Sequence, residues 1–227
     1  MISDKAPPLH MLARESATFA YMRFTSSFGA PALMNVRAAG QKVIVLPGFL
    51  ASDQSMSRLR RSLNAAGFDA YSLGMGRNLG VQADIFERID ARLATLKIEE
   101  PVILVGWSLG GLIAREYAKY APARVAKVIT MGSPFSGNPR ANNAWRLFEM
   151  VAGYKVDAPP IDMVLHEKPP VPTVALWSRR DGVVAPACAR GLPGESDYQV
   201  ELCCTHMAFI AQSEAINAVA KAIIDTD

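Results

Sequence analysis

A serine hydroxyl becomes a nucleophile at neutral pH only when a base takes its proton. An imidazole does this best when a carboxylate fixes its tautomer and steadies its positive charge. The chain has three histidines, His10, His166 and His206, so the search for that base is short. Only His206 sits just past a strand-like run, Tyr198 to Cys203; His10 lies in the N-terminal segment and His166 in a proline-rich stretch. Asp181 is the carboxylate in the corresponding place, one short loop after Val174-Ala175-Leu176-Trp177 and just before Gly182. Asp197 begins its strand, Glu201 is mid-strand, and Asp157 and Asp162 fall in the proline-rich stretch. The serine is Ser108, and the order Ser108, Asp181, His206 is one of the chain orders in which such a triad occurs. Read singly, Asp181 is a turn residue before glycine and His206 a surface histidine; it is their joint order that points to acyl transfer.

Ser108 lies in Gly106-Trp107-Ser108-Leu109-Gly110. A bare G-x-S-x-G arises by chance in roughly one chain in ten of this length, so its flanks must carry the reading. Val102 to Val105 before it suits a buried parallel strand, and Leu109, Leu112, Ile113 and Tyr117 after it recur at helical spacing. Between them only a sharp turn fits, with Gly106 and Gly110 letting helix close on strand. The tetrahedral intermediate of acyl transfer needs preorganised donors. The expected pair is the backbone N–H of Leu109 and that of Phe49, with Leu50 as the alternative, in the turn Pro47-Gly48-Phe49-Leu50.

The rest of the chain must position these groups. Apolar and polar residues from Leu9 to Phe28 predict a helix bounded by Pro8 and Gly29. Its apolar members Leu12, Phe19, Met22, Phe24 and Phe28 spread around the wheel, as in a helix packed on its own domain; a homodimer or membrane-surface contact through this N-terminal helix is the alternative. Lys42 to Pro47 reads as the first central strand, followed by a helix capped by Ser52 or Asp53, running through Met56, Leu59 and Leu63 and stopping at Gly67. Phe68 to Leu73 is a second strand, and Ile85, Ile89, Leu93 and Leu96 mark a helical face. Gly74 to Gly80 is glycine-rich but lacks the spacing of a dinucleotide loop. Val125 to Met131 and Thr173 to Trp177 are strands, and a last helix runs through Ala215, Val219 and Ile223. Strand and helix alternate, so the economical architecture is an α/β domain with helices on both faces of a mostly parallel sheet.

The segment from Phe135 to Pro172 interrupts that alternation. Prolines break it, and Trp145 to Val151 suggests one short helix. We expect residues 135–172 to form a short helical cap, or lid, inserted in a single domain spanning 1–227, with 1–40 as an N-terminal helical segment. Trp107, Phe135, Trp145 and Phe148 are the expected substrate-binding residues, with Leu147, Met150, Val151 and Tyr154 as further lining of an apolar pocket.

Of 227 residues, half are hydrophobic and a fifth charged, with a net charge of +3 and no dense basic run. Nucleic-acid binding gets little support. No apolar stretch approaches the roughly eighteen residues of a membrane span, and Asp4, Lys5, Arg14, Glu15 and Arg23 interrupt the N-terminal segment. The three cysteines, Cys188, Cys203 and Cys204, form neither a disulfide framework nor a metal-ligand set. A cytoplasmic chain with reduced thiols and no metal or cofactor is expected, the alternative being a bridge from Cys188 to one of the vicinal pair.

Taken together, these residues resemble the α/β-hydrolase superfamily, from about Lys42 to the C-terminus. Val105-Gly106-Trp107-Ser108-Leu109-Gly110-Gly111 resembles its nucleophile elbow closely. Leu46-Pro47-Gly48-Phe49 resembles the oxyanion strand of lipases and esterases, departing from it at Pro47, where histidine is usual. Met131-Gly132-Ser133-Pro134 and Ser178-Arg179-Arg180-Asp181-Gly182-Val183-Val184 are similar to segments of small bacterial lipase-like members, and Arg77-Asn78-Leu79-Gly80 to a feature of one bacterial branch. The resemblance implies a serine ester hydrolase with a reduced sheet of about six strands and a cap; it names no substrate, and the apolar cap beside Trp107 and Phe49 is what points to a small-molecule ester with a medium-chain or lipid-like acyl group. An acyltransferase or thioesterase would use the same residues, and a non-catalytic ligand-binding protein of this fold would be signalled by an incomplete triad.

Overall fold

The computed structural model describes residues 5–225; positions 1–4 and 226–227 of the expected terminal segments lie outside the described residues. The order is α1 (Leu9–Phe28), β1 (Lys42–Leu46), α2 (Ser57–Ala65), β2 (Asp69–Ser72), α3 (Ile85–Thr95), β3 (Val102–Trp107), α4 (Leu109–Tyr120), β4 (Val125–Met131), α5 (Trp145–Ala152), β5 (Thr173–Ser178), α6 (Pro186–Arg190), β6 (Tyr198–Leu202) and α7 (Ser213–Ile224). The six strands form one sheet in the order β2-β1-β3-β4-β5-β6, every pair parallel. All strands therefore point the same way, and the loops that leave β1, β3, β4, β5 and β6 gather at one edge. In open α/β sheets this carboxyl edge is where ligands bind.

Strand side chains alternate between two cores. On one face Val45, Val105, Trp107, Ile129, Met131 and Leu176 meet Met22 of α1, Leu59 and Leu63 of α2, and Ile216, Val219 and Ile223 of α7. On the other Ile44, Leu46, Leu104, Val128 and Ala175 meet Ile85 and Ile89 of α3 and Leu112, Ile113 and Tyr117 of α4. Burial on both faces is why β3 is apolar without a break and β5 is apolar from Val174 to Trp177, between Thr173 and Ser178. β6 is an edge strand, exposed over four of its five residues, and it tolerates Glu201, which pairs with Arg179 at 3.0 Å.

Three local expectations are corrected. The helix after β1 begins at Ser57 with Met56 at its N-cap, not at Ser52 or Asp53. Ser52 instead bridges to Arg77 and gives its N–H to Ser55 Oγ at 3.2 Å. The short helix α6 was not expected, its five residues being too few to carry a period. In α1 the wheel is turned outside in: Glu15, Thr25 and Ser26 are buried with Met22, while Phe19, Phe24 and Phe28 face outward.

Candidate active site

The turn from β3 into α4 is tight enough to force Ser108 to φ 53° and ψ −119°. A non-glycine residue there carries strain of about 1–3 kcal/mol. The surrounding backbone holds it: Ser108 N–H donates to the Met131 carbonyl at 2.9 Å, and Gly111 N–H to the Ser108 carbonyl at 3.0 Å. Side chains are excluded on both sides. A Cβ at Gly110 would overlap the Leu46 carbonyl, and one at Gly106 the Gly110 carbonyl.

Asp181 and His206 come together from the loops after β5 and β6, with His206 Nδ1 2.7 Å from Asp181 Oδ2. Asp181 is fully buried and His206 is 2% exposed. The other carboxylate oxygen, Oδ1, accepts the backbone N–H groups of Val183 and Val184, both at 2.8 Å. Those two bonds fix the carboxylate, and the carboxylate in turn orients the imidazole. Burial alone would lower the His206 pKa, but the charge of Asp181 and its hydrogen bond outweigh burial, so the net shift is upward from the ordinary value. The loops are braced further down. Ser178 Oγ donates to the Cys204 carbonyl at 2.6 Å, and the Trp107 indole N–H to the His206 carbonyl at 3.1 Å. No hydrogen bond joins Ser108 to His206 among the described residues; without substrate such bonds are often long or misaligned.

In the turn after β1, neither Phe49 N–H nor Leu109 N–H donates to a carbonyl or side chain among the described residues. Leu50 N–H is engaged, donating to the Asn78 carbonyl at 2.7 Å, so of the two alternatives only Phe49 keeps its donor open. Leu50 itself sits at φ 61°. Asn78 holds this unusual turn from outside. Its N–H donates to the Ala51 carbonyl at 2.8 Å and its side-chain amide to the Pro47 carbonyl at 2.8 Å, while Arg77 donates to the Leu50 carbonyl at 2.8 Å. That role was not foreseen; the resemblance of Arg77-Asn78-Leu79-Gly80 to a feature of one bacterial branch was its signal in the sequence.

A cavity of about 330 Å³ opens above Ser108. Ser108, Leu109, Phe49, Phe135, Trp145 and Phe148 all line it. Trp107 does not. β3 alternates, and Trp107 points with Val105 and Ile103 into the core beneath the opposite face, so its expected substrate contact is corrected to an internal brace. Leu147, Met150 and Val151 are likewise turned to solvent on α5. His166 and Asn142 line the cavity, the former set aside as a base because of its place in the chain. Of the cysteines, Cys188 and Cys204 are buried and Cys203 is exposed. No described helix is long and apolar enough to cross a membrane.

A pimeloyl-[acyl-carrier protein] methyl ester esterase from Shewanella woodyi is 28% identical over 107 residues, 47% of this chain and 41% of that protein. Another from Photobacterium profundum is 37% identical over 75 residues, 32% of this chain and 28% of that protein. The matched part thus spans less than half the length of these curated relatives. Among solved structures, the carboxylesterase CesB of Bacillus subtilis superposes with a TM-score of 0.58 at 15% identity, covering 95% of this chain and 99% of that one. A monoacylglycerol lipase of Paleococcus ferrophilus gives a TM-score of 0.60 at 17% identity, covering 83% and 97%. At such identities the likeness is one of fold. The family described as alpha/beta hydrolase fold matches residues 35–158, more than half of the sequence, and with the six-stranded parallel sheet this means that the chain belongs to that family.

Proposed function

We propose that the protein is a serine carboxylic-ester hydrolase in which Ser108 is the nucleophile, His206 the base and Asp181 the residue that orients it. The observation that carries this reading is the buried 2.7 Å contact between Asp181 and His206, at the same sheet edge as a serine in a strained backbone. Ser108 Oγ attacks the ester carbonyl as its proton passes to His206 Nε2. The oxyanion lies between the N–H groups of Leu109 and Phe49, which cost no reorganisation when charge develops. His206 then protonates the leaving alcohol, and water repeats the sequence in reverse to free the acid and Ser108.

Residues 135–172 act as the cap of this site, and Phe135, Trp145 and Phe148 with Phe49 form its acyl wall. A space of about 330 Å³ is at the small end of ligand sites and suits a medium acyl chain. The partial similarity to pimeloyl-[acyl-carrier protein] methyl ester esterases supports an acyl ester with a small alcohol.

A fluorophosphonate probe tests the chemistry. Labelling of the wild type that vanishes in Ser108→Ala is expected; a folded wild type that takes no label would overturn the reading in favour of a binding protein. Rates on p-nitrophenyl esters from acetate to palmitate test the cavity, a maximum at intermediate length being expected and a steep preference for acetate removing the acyl wall. Products formed with added alcohols separate hydrolysis from acyl transfer.

A further inference from the structure

Charged side chains are rarely buried without partners able to meet their hydrogen-bonding needs. Glu15, on α1, is 3% exposed, and its partners are backbone N–H groups from both loops of the Asp181–His206 pair. Oε1 accepts Gly182 N–H at 2.8 Å and His206 N–H at 2.8 Å, and Oε2 accepts Met207 N–H at 3.0 Å. Gly182 follows Asp181 directly, so one carboxylate holds the acid's neighbour and the base's own backbone. The helix lies close enough to need glycine there, since a Cβ on Gly182 would come 2.6 Å from the Met11 carbonyl oxygen and 3.1 Å from Glu15 Cγ.

We infer that Glu15 is a positioning residue for the site proposed above, a clasp that fixes the spacing between the acid loop and the base loop. The inference rests on the reading of Ser108, Asp181 and His206 as the reacting groups. His206 is held at two points by two carboxylates: Asp181 meets the ring at Nδ1, and Glu15 meets the backbone N–H. Trp107 from β3 and Phe209 from the segment after His206 pack on the ring without charge, so Asp181 and Glu15 are the ionised groups that act on it. Both favour the imidazolium. The clasp explains why α1 buries Glu15; Ser26, further along the helix, is buried for a different contact, its Oγ donating to the Ser55 carbonyl at 2.8 Å.

The test compares wild type, Glu15→Gln, Glu15→Ala and, as a neighbour that faces solvent, Arg14→Ala. Each is measured by melting temperature, by kcat and KM on a p-nitrophenyl ester, and by the pH profile of kcat/KM. Glu15 does not line the cavity, so KM should hold while kcat falls, by about 100-fold in Glu15→Ala if the imidazole moves by an ångström. Glu15→Gln keeps one acceptor oxygen and should recover part of that loss. In both, removing the negative charge should move the acid limb to lower pH, which a purely structural strut would not do. Wild-type kcat and an unmoved acid limb in folded Glu15→Gln would overturn the inference, whatever happens to the melting temperature. Should Glu15→Ala fail to fold, Glu15→Gln decides alone.

Failure of the underlying reading has a different signature. Wild type would then take no fluorophosphonate label, and the His206 imidazole titration followed by NMR would test the clasp directly. A midpoint unchanged between wild type and Glu15→Gln overturns it, and a lowered midpoint upholds the contact.

Discussion

The Asn78 side-chain amide lies 2.8 Å from the Pro47 carbonyl, tying the loop after β2 to the turn that presents Phe49. Pro47 has no N–H of its own, and its carbonyl faces a buried polar partner that this loop supplies. Asn78→Ala leaves that carbonyl unmet, a loss of about 1–3 kcal/mol in stability. Phe49 N–H would then be free to drift, and kcat should fall toward the roughly 100-fold or greater loss seen when one oxyanion donor is removed, with KM nearly unchanged. Paired kinetics and thermal melting check this; a lowered melting temperature with full kcat would show that the turn holds its shape without Asn78.

Asp181→Asn keeps an oxygen able to accept the Val183 and Val184 N–H groups, so the loop should stay in place. What changes is the partner of His206 Nδ1, where an amide no longer selects the tautomer or steadies the imidazolium. By analogy with serine proteases kcat should drop by about 10⁴. Steady-state rates on an activated ester, with circular dichroism to confirm the fold, measure it. A rate within tenfold of wild type would remove Asp181 from the mechanism.

The pH dependence follows from the raised His206 pKa. With His206 as the proposed base, the imidazole must be neutral to act, so kcat/KM should fall as pH drops through a midpoint above the ordinary histidine value of about 6.5. In Asp181→Asn burial is opposed by Glu15 without Asp181, and the residual activity should show its acid limb shifted to lower pH. The sign for stability is the reverse of that for activity. A group whose pKa is higher in the folded state contributes stability that is fully present below its unfolded value and lost as pH rises through the folded one. Urea midpoints at pH 5 and pH 9 should therefore differ less in His206→Gln than in wild type.

Much of this architecture is legible in the residues because parallel strands buried on both faces are unmistakable runs, and because Pro8 and Gly29 bracket α1 at its observed limits. Alternating strands and helices place the loops after β5 and β6 on one edge, and that is enough to bring Asp181 toward His206. Glu15 was not legible. Periodicity puts charges outside, and its partners Gly182 and His206 are 167 and 191 positions away, a pairing only the folded backbone specifies. Trp107 was misplaced for the opposite reason: its nearness to Ser108 in the chain outweighed the alternation of β3, which sends neighbouring side chains to opposite faces.

Gly132 offers the sharpest test of how closely the two loops are packed. It follows β4 at φ 57°, a conformation that resists any side chain. A Cβ there would stand 3.0 Å from Asp181 Oδ2, 3.0 Å from His206 Nδ1 and 2.9 Å from the Phe209 ring, wedging into the one contact that orients the imidazole. Backbone strain alone should cost Gly132→Ala about 1–3 kcal/mol, a loss that a denaturant midpoint will register. Displacing Asp181 from His206 should add a fall in kcat that the stability change cannot account for. Because β4 also accepts Ser108 N–H at Met131, a control is needed that strains a turn away from the site, and Gly194→Ala serves: φ 88° and nothing within 4 Å of the added carbon. Equal kcat losses in the two variants would mean that strain, and not the separation of Asp181 from His206, is what lowers the rate.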